Sequence, residues 1–184
     1  MTVPILQHEP RTLHGWFRHY LGDLVYGAND GIITTFAVVS GVAGAELSSR
    51  IVLILGVANL VADGFSMGAS NFLSIRSEEG AREAEGREVA EPFPLRHGLA
   101  TFVAFLVAGA VPLAAYLLPA AGDRFVVCTV LTLVTLFFVG AARTLIIRKG
   151  WFRSGLEMLT VGAIAAAVAY GLGALLADLG LRGL

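Results

Sequence analysis

The sequence predicts an all-α integral membrane protein of five transmembrane helices, its N-terminus cytoplasmic and its C-terminus on the opposite side. Three observations carry this. Of the 184 residues, 56% are hydrophobic and only 15% are charged, where a soluble domain carries about 25% charge. The charges are also segregated: Leu99 to Leu118, Phe125 to Ala142 and Met158 to Ala177 contain none, and each approaches the roughly 20 residues that a spanning helix needs. The basic residues fall on alternate connections. With the N-terminus inside, Arg11, Arg18, Arg76, Arg82, Arg87, Arg96, Arg143, Arg148, Lys149 and Arg153 are cytoplasmic, and only Arg50, Arg124 and Arg182 are outside. That asymmetry satisfies the positive-inside rule.

Residues 1–20 read as a polar cytoplasmic segment. It lacks the apolar core of a signal peptide, so it is expected to be retained. Its histidines, His8, His14 and His19, read as solvated, with metal binding the lesser alternative, and Trp16, Phe17 and Tyr20 suit the membrane interface. Residues 21–178 form the transmembrane domain. The first two spans, about Leu21 to Ala45 and Ile51 to Ile75, are interrupted by Asp23, Asp30 and Asp63. Glycines at Gly27 and Gly31, and at Gly64 and Gly68, make small-xxx-small pairs that allow close helix approach. The third span contains Pro112, a candidate kink. Ala163, Ala167 and Gly171 mark a packing seam on the fifth. Between the second and third spans lies a charged cytoplasmic linker at about 76–97, where Pro92 and Pro94 end any helix. Cys128 is the only cysteine, so neither an intrachain disulfide nor a cysteine-based zinc site can form. The net charge of −1 argues against nucleic acid as a partner.

The stretch NLVADGFSMGASN, Asn59 to Asn71, is the chemical anomaly of the second span. Asn59, Asp63 and Met67 recur every four residues and share one helix face. Intramembrane carboxylates are expensive and are functional by default. Depth counting at 1.5 Å per residue puts Asp30 roughly 13 Å into the first span and Met67 roughly 12 Å into the antiparallel second. The two are therefore expected at one level, with Asp63 a turn deeper and Asn59 a turn deeper again. Carboxylate and amide oxygens suit Mn²⁺ or Fe²⁺, and a thioether disfavours Mg²⁺ and Ca²⁺. A second copy of the chain could complete the site across a two-fold axis, met through the glycine seams. Each residue also has a plainer role open to it. Met67 could pack, Asp30 could cap a broken helix beside Gly31, and Asp63 could pair with a buried hydroxyl or amide. In the linker, Glu79 and Glu83, one turn apart, could capture metal. Alternatively the linker is a solvated helix with Glu78–Arg82 and Glu83–Arg87 pairs.

The segments DGIITTFAVVSGVAGA, ADGFSMGASNFLS, GLATFVAFLVAGAVPL and SGLEMLTVGAIAAAVAYGLG together resemble the signature segments of the vacuolar iron transporter family, from Asp23 to Gly173. The resemblance implies a five-helix homodimer that exports Fe²⁺ and related divalent ions from the cytosol in exchange for protons. It implies no cofactor beyond the transported Fe²⁺ or Mn²⁺, with Co²⁺ and Zn²⁺ as further cargo. It also implies that Asp30 and Met67 line the path at the dimer interface. Plant and fungal-type members carry a glutamate eight residues before that methionine, where this chain has Asn59. An amide can coordinate a cation but cannot take up a proton near neutral pH, so Asp63 is the candidate titrating group. Eukaryotic members also insert a Glu- and Met-rich helical domain where only about twenty residues stand here. The short form resembles a prokaryotic member, placed in the cell membrane. Two other readings are open: a transporter for a different cation, and a non-transporting membrane scaffold acting through its charged linker. An enzyme is the least supported, since the spans contain no histidine and no nucleophile–base pair.

Overall fold

The computed structural model describes residues 10, 12–117, 122–145 and 150–181. Its described residues form five long α-helices: α1 (Leu13–Gly44), α2 (Ser49–Ala84), α3 (Pro94–Leu117), α4 (Arg124–Ala142) and α5 (Trp151–Leu176). A 3₁₀ turn (Arg143–Leu145) follows α4 and a π-helical turn (Ala177–Leu181) follows α5. The expectations about Arg11, Arg148, Lys149 and Arg182 lie outside the described residues. Four helices, α2 to α5, are long and apolar enough to cross a bilayer. The 32 residues of α1 are long enough too, but Asn29 and Asp30 interrupt its apolar run.

The helices begin and end where local chemistry dictates. The Thr12 hydroxyl accepts from Gly15 N at 3.1 Å and opens α1 eight residues before the apolar run expected from Leu21. The first turns of α1 therefore take in Leu13 to Tyr20 of the predicted N-terminal segment. At its other end, Glu46 N bonds Ala43 O at 3.0 Å and Leu47 N bonds Val42 O at 3.1 Å. This is a Schellman closure, with Glu46 at φ 56° where glycine is usual.

Helix α2 corrects the predicted linker. It continues past Arg76 to Ala84 and stops at a second Schellman closure, Gly86 N to Glu83 O at 3.0 Å and Arg87 N to Arg82 O at 2.9 Å. Gly86, at φ +70°, makes that turn, so the helix ends on a glycine well before Pro92. Pro94 opens α3, where its missing N–H is no loss. Because Arg87 has left the helix, the expected Glu83–Arg87 pair is replaced by Arg87–Glu85 at 2.9 Å. Arg82 faces Glu79 at 3.9 Å. Asp123 caps α4 through Phe125 N at 2.8 Å, and α3 runs through Pro112 unbroken.

Helix α1 is central: it packs on α3 and α5, while α2 covers α3 and α4 covers α5. Glycines set these crossings. A Cβ on Gly27 or Gly31 would run into the carbonyl of Thr101 or Phe105 in α3. One on Gly64 would lie 2.9 Å from the Phe105 ring, and one on Gly68 would lie 2.8 Å from the Gly98 carbonyl. Both predicted glycine seams are thus occupied inside one chain by α3 and are not open to a second copy. The seam expected on α5 behaves differently. Ala163, Ala167 and Gly171 line an apolar cavity of about 430 Å³ with Phe36, Ser40 and Phe125, and a Cβ on Gly171 would meet nothing. The main core joins Phe36, Val39, Val52, Leu60, Phe105, Leu113 and Cys128. Around it α2 to α5 expose large apolar side chains such as Ile54, Phe65, Val107, Phe138 and Ile164, a surface that suits lipid and not water.

Candidate functional site

The α1–α3 glycine crossing brings the polar residues of α1 and α2 onto one side of the bundle. Asn71 Nδ2 donates to Asp23 Oδ1 at 2.8 Å and to Thr101 Oγ1 at 2.7 Å. The Asp23–Asn71 bond sets the register of the two antiparallel helices. Seven residues on from Asp23 is Asp30; seven back from Asn71 is Gly64. Asp30 therefore comes level with Asp63 and Gly64. Depth counting had put Asp30 with Met67. The register places Met67 about one turn nearer Asn71, where it packs, half-buried, against the main core. The count erred because both helices run beyond the apolar segments whose ends it used as references.

Asp30, Asp63 and Asn59 are all half-buried. The Thr34 hydroxyl donates to the backbone carbonyl of Asp30 at 2.9 Å, leaving the carboxylate to other uses. Asn29 Oδ1 and Asn59 Nδ2 are buried with no hydrogen-bond partner among the described residues. Such atoms cost about 1–3 kcal/mol each if left unpaired. Two carboxylates and two unsatisfied amides in apolar helices are costly unless a cation, a proton or water satisfies them.

A second polar cluster lies toward the start of α1, at the joint of α1, the α2–α3 connection and α3. His97 Nδ1 faces Asp23 Oδ2 at 2.7 Å, and its Nε2 faces Glu91 Oε2 at 3.1 Å. His19 Nε2 reaches the same Glu91 oxygen at 3.2 Å. The Thr101 hydroxyl donates to His97 O at 3.0 Å, and Tyr20 and His19 pack their rings against the His97 imidazole. His97 is almost wholly buried and Glu91 about one-third exposed. This corrects two expectations. His19 is no solvated histidine, and His97 stands in the first turn of α3 although the spans were read as free of histidine. His97 was missed because it precedes the charge-free run beginning at Leu99. The usable signal was His19 and Asp23, four apart on α1 and so on the same face as Asp30.

Glu79 and Glu83 are not brought together for a shared ligand. Glu79 is buried, and its two oxygens accept Ala90 N at 2.9 Å and Glu91 N at 3.1 Å. Glu83 is exposed. Glu79 instead fixes the segment that presents Glu91.

These features define a multi-pass helical membrane protein with a polar track through its apolar bundle. Its sequence matches the model of the VIT family over residues 21–93 and 81–174, and the chain belongs to that family. The two matched pieces overlap over 81–93, the last turn of α2 and the α2–α3 connection. It is 29% identical to the vacuolar iron transporter of Toxoplasma gondii, over 85% of this chain and 74% of that protein. It is likewise 29% identical to vacuolar iron transporter 1 of Arabidopsis thaliana, over 90% of this chain and 92% of that one. Vacuolar iron transporter homolog 1 of rice is 32% identical, over 83% and 72%.

Proposed function

We propose that this protein carries Fe²⁺ or Mn²⁺ out of the cytosol by proton antiport, as a homodimer in a prokaryotic cell membrane. The observation that carries the proposal is that the α1–α2 register brings two half-buried carboxylates, Asp30 and Asp63, to one level, with unsatisfied amides at Asn29 and Asn59 in a chain of the VIT family. Two carboxylates in an apolar setting need compensating positive charge, and a divalent ion and a proton are alternative ways to supply it. Exchanging one for the other across the membrane is antiport. Asp30 and Met67 bind the ion in this reading, Asn59 and Asp63 line its path, and Asp63 takes up the proton that Asn59 cannot. Helix α1 is the fifth span, which puts the arginine-rich connections inside.

A second copy needs a surface other than the glycine seams. On α2, Ala58, Ala62, Ser66 and Ser70 are all exposed and recur every four residues beside Asp63 and Met67. Small residues at that spacing let helices approach closely in lipid, and a two-fold axis there would double the ligands available to the ion.

The test is metal flux into proteoliposomes with and without a pH gradient, for Fe²⁺, Mn²⁺, Co²⁺ and Zn²⁺. The proposal expects gradient-driven Fe²⁺ or Mn²⁺ movement that Asp30→Ala abolishes and Met67→Ala impairs in folded protein. Undiminished transport by both variants would remove these residues from the path. Absence of flux for every metal would leave a scaffold acting through the α2–α3 connection.

A further inference from the structure

We propose that His19, Glu91 and His97 form a binding site for a divalent first-row transition ion, with Asp23 as its positioning residue. The three side chains come from α1, the α2–α3 connection and α3, and their ligand atoms all lie within 4.8 Å of one another. His19 Nε2 and His97 Nε2 stand 3.2 and 3.1 Å from Glu91 Oε2. Around an ion with bonds of 2.0–2.1 Å, tetrahedral ligands are about 3.3–3.4 Å apart, so the two Glu91 spacings already nearly match, and the imidazole nitrogens, within 4.8 Å of each other, need only close on the ion.

The hydrogen bonding favours a cation at this point. Asp23 Oδ2 lies 2.7 Å from His97 Nδ1, placed to accept its N–H when Nε2 gives its lone pair to a cation on the Glu91 side. Carboxylates behind metal-bound histidines act in this way, fixing tautomer and ring angle. Asp23 is itself held through its other oxygen by Asn71. Glu91 is held through its backbone by Glu79. Two imidazole nitrogens and a carboxylate oxygen then converge with their lone pairs facing inward, an arrangement that only protons or a metal ion can satisfy. Two imidazoles with one carboxylate suit Fe²⁺, Co²⁺ and Zn²⁺ and disfavour Mg²⁺ and Ca²⁺. Glu91 is 34% exposed while His97 is 8%, so ions can enter and leave from the Glu91 side.

The cluster shares a face of α1 with Asp30, eleven residues and roughly 16 Å along the helix. We therefore assign it the loading of the path. That role rests on the transport reading above; the binding itself does not.

The experiment uses full-length protein in nanodiscs, carrying Asp30→Ala, Asp63→Ala and Met67→Ala so that the path lacks its carboxylates and thioether. Co²⁺ is titrated and followed by visible absorption, with X-ray absorption to detect imidazole ligands. The expected result is one Co²⁺ per chain with imidazole scattering. Binding should weaken at least tenfold in His19→Ala and in Glu91→Gln, neither of which empties the core. His97→Ala should abolish it. Asp23→Asn should weaken it about tenfold, with Asp23→Glu restoring part of the loss. Unchanged affinity in the folded His19→Ala and Glu91→Gln proteins, or bound Co²⁺ without imidazole, would reduce the cluster to an ion-pair network. Loading is read separately, with Asp30, Asp63 and Met67 intact. His19→Ala should raise the Fe²⁺ concentration for half-maximal flux several-fold while leaving the maximal rate. If Co²⁺ binds as expected but that concentration does not move, the loading role is overturned and the site stands. If no metal moves at all, the transport reading fails and the Co²⁺ result still decides the site.

Discussion

At the scale of single residues, the side chains with the clearest consequences are those holding backbone in place. Glu46 sits at φ 56°, a conformation that costs an L-residue about 1–2 kcal/mol and glycine little. Glu46→Gly should therefore stabilise the protein by about 1 kcal/mol, read as a higher unfolding temperature in detergent. Glu79 does the opposite work: its carboxylate satisfies two backbone N–H groups. Glu79→Ala should cost about 1–3 kcal/mol and speed hydrogen exchange at Ala90 and Glu91. If exchange at both amides is unchanged, Glu79 is not their anchor. Composition identified the glutamates of this segment. It could not tell which is buried, because Glu79 and Glu83 differ only in which side of α2 the α2–α3 connection folds back on.

At the scale of elements, the α1–α3 crossing positions the track. Gly27 and Gly31 touch α3 backbone, so a side chain there must push two helices apart. Gly31→Ala should destabilise by about 1–3 kcal/mol, the usual price of overpacking, and should disturb Asp30 next to it. Gly80 provides the control. It lies inside α2 with nothing near its Cβ position, and Gly80→Ala should stabilise by roughly 0.5–1 kcal/mol. Equal gains in thermal stability for the two variants would mean that helix propensity, not close approach, dominates at Gly31. The small-residue spacing was plain in the sequence. Its partner was not, since a glycine pair allows close approach without saying which helix approaches.

At the scale of the whole molecule, one chain leaves much of α2 exposed, including a small-residue stripe beside Asp63. If the homodimer forms there, Ala62→Phe should weaken dimerisation at least tenfold, measured by single-molecule photobleaching in liposomes, without unfolding the protomer. An unchanged dimer fraction would move the interface elsewhere.

The apolar runs determined the helix count, and hence the all-helical class, because a chain in lipid must satisfy its backbone internally. They also located Asp30, Asn59, Asp63 and Met67, because polar groups in such runs stand out against their neighbours. Helix ends were less legible. Polar turns of α1 and α2 extend beyond the apolar segments, and caps such as Thr12 and Gly86 set their limits. Only the tertiary structure decided the register of α1 on α2, which brings Asp30 level with Asp63 and sets Met67 a turn away. Only it gathered His19, Glu91 and His97 from three separate elements around Asp23. The physical reason is the same for both. Periodicity specifies which face of a helix a residue occupies, whereas register and convergence depend on where glycines let backbones touch and which side chains bond across the gap.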